Sequence, residues 1–485
     1  MKKLPFLLLL LLFSGCNDLL EEVPQDRLSQ ENFYKTKEDA IAGLNAVYSQ
    51  MRVGDAYGSW YPAIMVGLDD YTLARGSQVP ISEYQGMGAL IGRTDNLWRI
   101  FYQCINSANI VIDLAPGIAM SETDRNAIIG EARFLRALNY YNLVRNFGGV
   151  PLRTTSTTKL DQVGGKRASV EEVYNQIIED LQFSETSLPA TVSQIGRPTS
   201  WAAKTLLADV YLTRENWASA RDKALEVIQS GAFSLVEVKT PDDFLKVFGP
   251  EIVTSTEEVF SLKFARIAGQ GWGYVIFPHP GDTYYAVGGF RAHYAKPEFP
   301  LIKNWSNADL RKEYNLYSEY TNRAGKVVQL PAAEPICFRK YRDGVSDQYG
   351  NDFPLLRYAD ALLIYAEAAS QANNGPTAEA LEYLNRVHRR AYGYTPTLPS
   401  PVDFTLEGYT AQTFRDLVLT ERAYEFMLEF KRWYDLKRLG TDRLKAIIKE
   451  SLGKDVADSH LLWPIPKQEI DNNPDINAED QNPGY

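Results

Sequence analysis

The patterning of this chain predicts an all-α fold, a scaffold of helical repeats broken by long irregular insertions. Three observations carry that prediction. Apolar residues recur at helical spacing through most of the chain, as Ala40, Leu44, Val47 and Met51 do near its start. Two segments echo one another, since Ala208 and Ala220 lie twelve residues apart and Ala368 and Ala380 share that separation. Small residues at this spacing let two antiparallel helices approach while Tyr211 and Trp217 fill the neighbouring gap, the pattern of a tetratricopeptide unit. Lastly, residues 54–93 and 231–352 are rich in glycine, aromatic and polar residues yet hold no sustained period.

Taken in order, the first helix reads from TKEDAIAGLNAVYSQM, and the irregular stretch from Gly54 to Arg93 follows it. A loop of that length inside a compact protein is uncommon unless it carries function. Helices resume with DNLWRIFYQCINSANIVIDLA and with the run that ends in NYYNLVRNFGGVPL. Gly148, Gly149 and Pro151 stop that run, because glycine accepts the left-handed cap and proline cannot continue a helix. Ser169 and Glu172 have the spacing of a capping box at the start of the next. The two repeat units come next, separated by the long insertion. A last helical run, TFRDLVLTERAYEFMLEFKRWYDLKRLG, places Glu421, Glu425 and Glu429 in one row, with Phe426, Phe430 and Trp433 interleaved. Alternating charges at this spacing predict a salt-bridged surface. The chain ends in a proline-rich extended tail.

At the N-terminus, Leu4 to Phe13 is an apolar run of ten residues, half the roughly 20 that a spanning helix needs. Lys2 and Lys3 precede it, and Ser14 and Gly15 follow, which gives residues 1–15 the layout of a secretory signal peptide. Cys16 stands where a bacterial lipoprotein carries its lipidated cysteine. An ordinary cleaved signal beside an unmodified cysteine is the other reading. Residues 16–35 then form an acidic tether, and no later stretch reaches spanning length, so membrane contact is expected through the lipid anchor only. A net charge of −10 argues against nucleic acid or an anionic lipid surface as partner. Cys104 and Cys337 both have apolar neighbours and read as buried free thiols, with a disulfide between them left open.

Motifs that impose a mechanism are missing: there is no H-E-x-x-H, no G-x-S-x-G and no P-loop. His279, His293, His388 and His460 lack metal-ligand spacing, so neither a metal nor another cofactor is expected. Asp69 and Asp70 are adjacent, which reads as a loop-capping or solvated pair before any catalytic role. The second insertion is different. From Phe264 to Tyr317 there are 12 aromatic residues in 54, about 22%, against 12% for the whole chain. Tyr and Trp offer rigid apolar plates with a polar handle, suited to sugar rings and extended peptides. Trp272, Tyr274, Tyr284, Tyr285 and Trp305 are candidates for such a platform, with Arg291, His293 and Asp282 supplying hydrogen bonds. The competing reading is that any one of them plugs the core.

The segments EARFLRALNYYNLVRNFGGVPL, GRPTSWAAKTLLADVYL, FPLLRYADALLIYAEA, ERAYEFMLEFKRWYDLKRLG and WPIPKQEIDNNP, in this order, resemble the SusD/RagB family of outer-membrane nutrient-binding lipoproteins. The resemblance runs from about residue 20 to the end. It implies a scaffold of about four tetratricopeptide-like helix pairs bearing a ligand-binding part built from insertions. It implies a SusD-like half at 36–230 and a RagB/SusD-like half at 231–485, packed as one compact unit. It also implies a lid on a SusC-like TonB-dependent transporter, placed at the cell surface and anchored at Cys16. Asp18, Glu21 and Glu22 match the acidic signal that accompanies surface export. The regions carried over are the first insertion, with Trp60, Tyr61, Asp69, Asp70, Tyr71 and Arg75, and the stretch from Trp272 to Trp305.

Function is therefore expected to be the binding of an oligosaccharide nutrient and its delivery to the transporter, without chemistry. A peptide ligand, as in the RagB branch, is the alternative within the same system. A surface glycan hydrolase and a scaffold that binds only protein are the remaining readings.

Overall fold

The computed structural model describes residues 33–157 and 164–485. The signal peptide, most of the tether and the proposed anchor Cys16 lie outside the described residues. Eight long helices form four pairs, as expected: α1 (Lys37–Met51) with α2 (Ile91–Leu114), α3 (Glu122–Phe147) with α4 (Val170–Ser187), α5 (Ser200–Thr213) with α6 (Trp217–Gln229), and α7 (Tyr358–Ala372) with α8 (Ala378–Ala391). Each helix also packs on the next, so the pairs stack in series, and α6 meets α7 across the whole intervening insertion. Ala208, Ala220, Ala224, Ala368 and Ala380 are fully buried at these contacts, where a larger side chain would hold the helices apart.

Local signals place the helix ends. Thr36 and Asp39 form a capping box on α1, and Ser169 and Glu172 form the expected one on α4. α3 ends at Phe147, and Gly148 takes φ +76° as its cap. The first insertion holds more order than its sequence suggests. Trp60–Gly67 is a helix, and every residue from Tyr61 to Gly67 is buried. A helix apolar on all sides shows no amphipathic period, so periodicity passes over it.

The C-terminal charge row departs from expectation in two ways. The run is not one helix: α9 (Ala411–Glu425) stops, and α10 (Arg432–Lys437) starts after a break in which Leu428 and Phe430 take φ of +58° and +64°. Nor is the row a surface. Glu421, Arg422, Glu425, Glu429, Arg432 and Asp435 are buried. Arg357 bonds Glu257, Glu425 and Glu429 at 2.8–2.9 Å, Arg390 bonds Glu257 at 2.6 Å and Glu425 at 2.5 Å, and Arg311 reaches Glu421 at 2.7 Å. Burial pushes Glu421 toward protonation, but Arg311 and His388 outweigh it and hold the carboxyl at about 2.

Short strands fasten the insertions. Leu73–Ala74 pairs antiparallel with His293–Tyr294, which ties the first insertion to the second. Glu258–Leu262 pairs antiparallel with Phe353–Arg357 and so closes the second insertion where it leaves and re-enters the helical stack. Cys104 and Cys337 are free and buried. Among the described residues no helix is long and apolar enough to cross a membrane.

Candidate ligand-binding face

The two insertions meet at a row of aromatic rings. Trp60, at the start of its helix and half-buried, stands edge-on to Phe277 with ring centres 5.5 Å apart, and Phe277 meets Phe290 at 4.8 Å. Phe290 is 44% exposed. An exposed phenylalanine and a half-buried tryptophan, joined through the buried Phe277, make a ledge on which a partly apolar ligand face can rest.

Polar groups flank both ends. The Arg93 guanidinium lies 3.6 Å over the Trp60 ring and bonds Asp55 at 2.6 Å, while the Asn96 amide donates to the other Asp55 oxygen at 3.0 Å. At the other end Glu334 receives Arg75 at 3.0 Å and Arg291 at 2.6 Å. Arg75 also donates to the carbonyl of Arg291 at 3.2 Å, which fixes the backbone beside Phe290. Arg291 itself sits at φ +49°, a conformation that side chains rarely adopt.

Beside Trp60 an open hollow of about 400 Å³ is lined by Gln50, Asp55, Arg99 and Gln103 among others. Gln50, Arg99 and Gln103 also line a longer hollow of about 770 Å³ that continues along α2 past Asn96, Tyr102 and Asn106. Amides and guanidinium groups around an aromatic plate offer donors and acceptors in the mixture that a polyhydroxylated ligand needs.

Burial divides the residues expected from sequence. Trp60, Arg75 and Arg291 come together at the ledge. Tyr284, 53% exposed, and the half-buried Tyr285 form an adjoining polar corner of the second insertion, where Arg323 lies 5.6 Å over Tyr284 and Arg342 lies 5.9 Å over Tyr285. The others are structural. Asp70 bonds Arg432 through both oxygens at 2.7–2.8 Å, and the Tyr71 hydroxyl accepts the Leu428 amide at 3.2 Å. Trp272 and Tyr274 are fully buried, Trp272 donating to the Tyr57 carbonyl at 2.9 Å. Trp305 stacks on Tyr424 at 4.4 Å and donates to Asp309 at 2.9 Å, and His293 is buried in the strand that joins the insertions. These six are buried, so a ligand on the surface does not reach them; Trp272, Tyr274 and Trp305 plug the core, and Asp70 is neither solvated nor a loop cap but one side of a buried ion pair. Arg93, Asp55, Asn96, Phe290 and Glu334 were not singled out from sequence. Arg93 and Asn96 do lie three residues apart, one helical turn, but nothing local ties them to Asp55.

Serially stacked helix pairs, with two insertions fastened together and presenting an aromatic ledge, define a helical-repeat scaffold carrying an insertion-built face. Within that class the chain belongs to the SusD family. The family model described as SusD family matches residues 304–485, and one described as starch-binding associating with outer membrane matches residues 74–212. SusD-like protein P2 of Formosa agariphila is 30% identical over 512 residues, covering 100% of this chain and 99% of the relative. A SusD homolog from Bacteroides thetaiotaomicron superposes with a TM-score of 0.78 at 23% identity, covering 94% of this chain and 98% of that one. A laminarin-binding SusD-like protein gives 0.76 at 24% identity, covering 93% and 100%.

Proposed function

We propose that the protein captures an oligosaccharide on the ledge of Trp60 and Phe290, which the buried Phe277 supports from beneath, and hands it to a TonB-dependent outer-membrane transporter without chemical change. The observation that carries this reading is the half-exposed Trp60 ring beside an open hollow lined with amides. A pyranose ring has apolar C–H faces and an equator of hydroxyls, and the ledge and hollow complement the two in turn. Membership of a family with a starch-binding description, and the likeness to a laminarin-binding protein, support a glycan ligand. Single-plate stacking gives modest affinity, which suits a ligand that must also be released. In this reading the protein is held at the cell surface by lipid on Cys16.

Calorimetry with starch- and laminarin-derived oligosaccharides tests the ligand class. Binding to at least one series is expected, and Trp60→Ala weakens it about tenfold, or about 1.4 kcal/mol, with the melting temperature little changed. Binding of oligopeptides with none of the sugars would transfer the protein to the peptide branch. Turnover of a glycan by the purified chain would instead make it a hydrolase. Mass spectrometry of membrane-extracted protein tests the anchor, which predicts diacyl or triacyl mass on Cys16 and release of a Cys16→Ser variant to the soluble fraction.

A further inference from the structure

A second pocket lies between α3, α5 and the charged C-terminal segment, and none of the ledge residues lines it. We propose that this pocket binds a small zwitterion, an α-amino acid about the size of alanine or serine, with its carboxylate on Arg145 and its ammonium group on Asp209.

Two charges of opposite sign line the pocket without pairing. The Arg145 guanidinium is clamped between the rings of Tyr141 and Tyr434, 3.6 and 3.7 Å from their centres. Its bonds go to neutral acceptors, the Tyr141 carbonyl at 3.1 Å and the Asn142 amide oxygen at 3.0 Å. Asp209 accepts the Tyr141 hydroxyl at 2.9 Å, and among the described residues no cation forms an ion pair with it. Both residues are only half-buried, so a small ion from solvent can reach them. Other charges on the wall are already matched, Lys431 to Asp360 and Arg438 to Glu367. One group is not: the buried Nη1 of Arg422, which also lines the pocket, has no acceptor among the described residues. The cationic side thus has donors to spare for a carboxylate, and Asp209, which Arg145 attracts across the pocket without an ion pair between them, has room on its carboxylate for an ammonium group.

Size narrows the class. The cavity measures about 80 Å³, and one water needs roughly 10–15 Å³ on that scale, so about five to eight water-sized groups fit. Alanine and serine fall in that range, whereas a hexose, with about twelve heavy atoms, exceeds it. Phe134, Phe260 and Leu138 supply an apolar wall for a short side chain.

Titration of the full chain with L-alanine, acetate, methylammonium and glucose, followed by calorimetry and thermal shift, tests the assignment. Alanine is expected to bind saturably, with acetate and methylammonium each at least about tenfold weaker and glucose absent. Asp209→Asn, on a partly exposed helical position, is expected to weaken alanine about tenfold and leave acetate unchanged, with an unaltered melting curve. Arg145→Lys keeps the charge but loses the forked donor, and is expected to weaken alanine and acetate together. No response to alanine up to about 10 mM, near the weak limit of specific binding, overturns the proposal. So does acetate binding as tightly as alanine with Asp209→Asn silent. Because the ledge lies elsewhere, loss of oligosaccharide binding would leave this result unaffected.

Discussion

The carboxylate of Asp70 meets the Arg432 guanidinium through two bonds of 2.7 and 2.8 Å, and both residues are buried. Removing one partner of such a pair strands the other charge away from water, which costs about 3–5 kcal/mol. Asp70→Ala is therefore expected to lower unfolding free energy by that amount in urea titration, while glycan affinity at the ledge stays the same; a loss of affinity without a loss of stability would restore Asp70 to the binding site. The sequence offers Asp70 as half of an acidic pair and, by resemblance, as part of the ligand-binding insertion, and its ion pair is hidden there because the partner stands 362 residues away. His279 carries a second prediction. It is fully buried, and burial lowers its pKa from 6.5 to about 4 despite the Tyr341 carbonyl 2.8 Å away. As pH falls the unfolded chain takes up this proton first, so the native state loses stability between about pH 6.5 and 4. His279→Gln retains a donor for Tyr341 but has no such proton. The stability advantage of the natural chain over this variant is expected to shrink by about 2–3 kcal/mol between pH 7 and pH 4. A constant gap in urea melts at the two values would show that His279 does not titrate in this way.

Among the elements, those that bury one face were legible and those buried on every side, or facing inward with charge, were not. α1 announces itself through spaced apolar residues and α4 through its capping box, and the alanine pairs of α5 with α6 and α7 with α8 mark where helices come close. Ala220 has no exposed surface at that crossing. A larger side chain there must push two helices apart, so Ala220→Leu is expected to cost about 1–3 kcal/mol in denaturant titration, against little for Ala218→Leu on the half-exposed face of the same helix. The Trp60–Gly67 helix has no polar face and so no period to read. The acidic row of α9 has the right period but the wrong neighbours for a surface, since Arg311, Arg357 and Arg390 arrive from three distant segments. The ledge shares this limit: Trp60, Arg75 and Arg291 were legible as residue types in irregular stretches, but the pairing of Leu73–Ala74 with His293–Tyr294 that brings them together is too short to leave a sequence signature.

At the scale of the molecule, one apolar cluster draws on both of the expected halves, 36–230 and 231–485, and we expect them to unfold as one. A single apolar cluster draws residues from Ala40 near the start of α1 to Ile465 in the tail, and Tyr211 and Phe233 pack against both this cluster and the one around α7. Polar contacts cross the same boundary: Arg432 to Asp70, the Tyr434 hydroxyl to that of Tyr61 at 2.7 Å, and the Trp463 amide to the Asn146 carbonyl at 2.7 Å. Most of these interactions are buried, so neither half could keep its core if the other opened, because each would expose unpaired charge and apolar surface together. Cooperativity of this kind is rarer at this size than in small domains, which makes it a discriminating expectation. Helical circular dichroism and tryptophan fluorescence, with 8 tryptophans spread along the chain, should trace one coincident urea transition. Asp70→Ala should shift both signals to lower urea by the same amount. Two resolved transitions, or a variant that moves only one signal, would mean that the helical stack and the insertion-bearing half are separate folding units and that the ledge is built on a hinge between them.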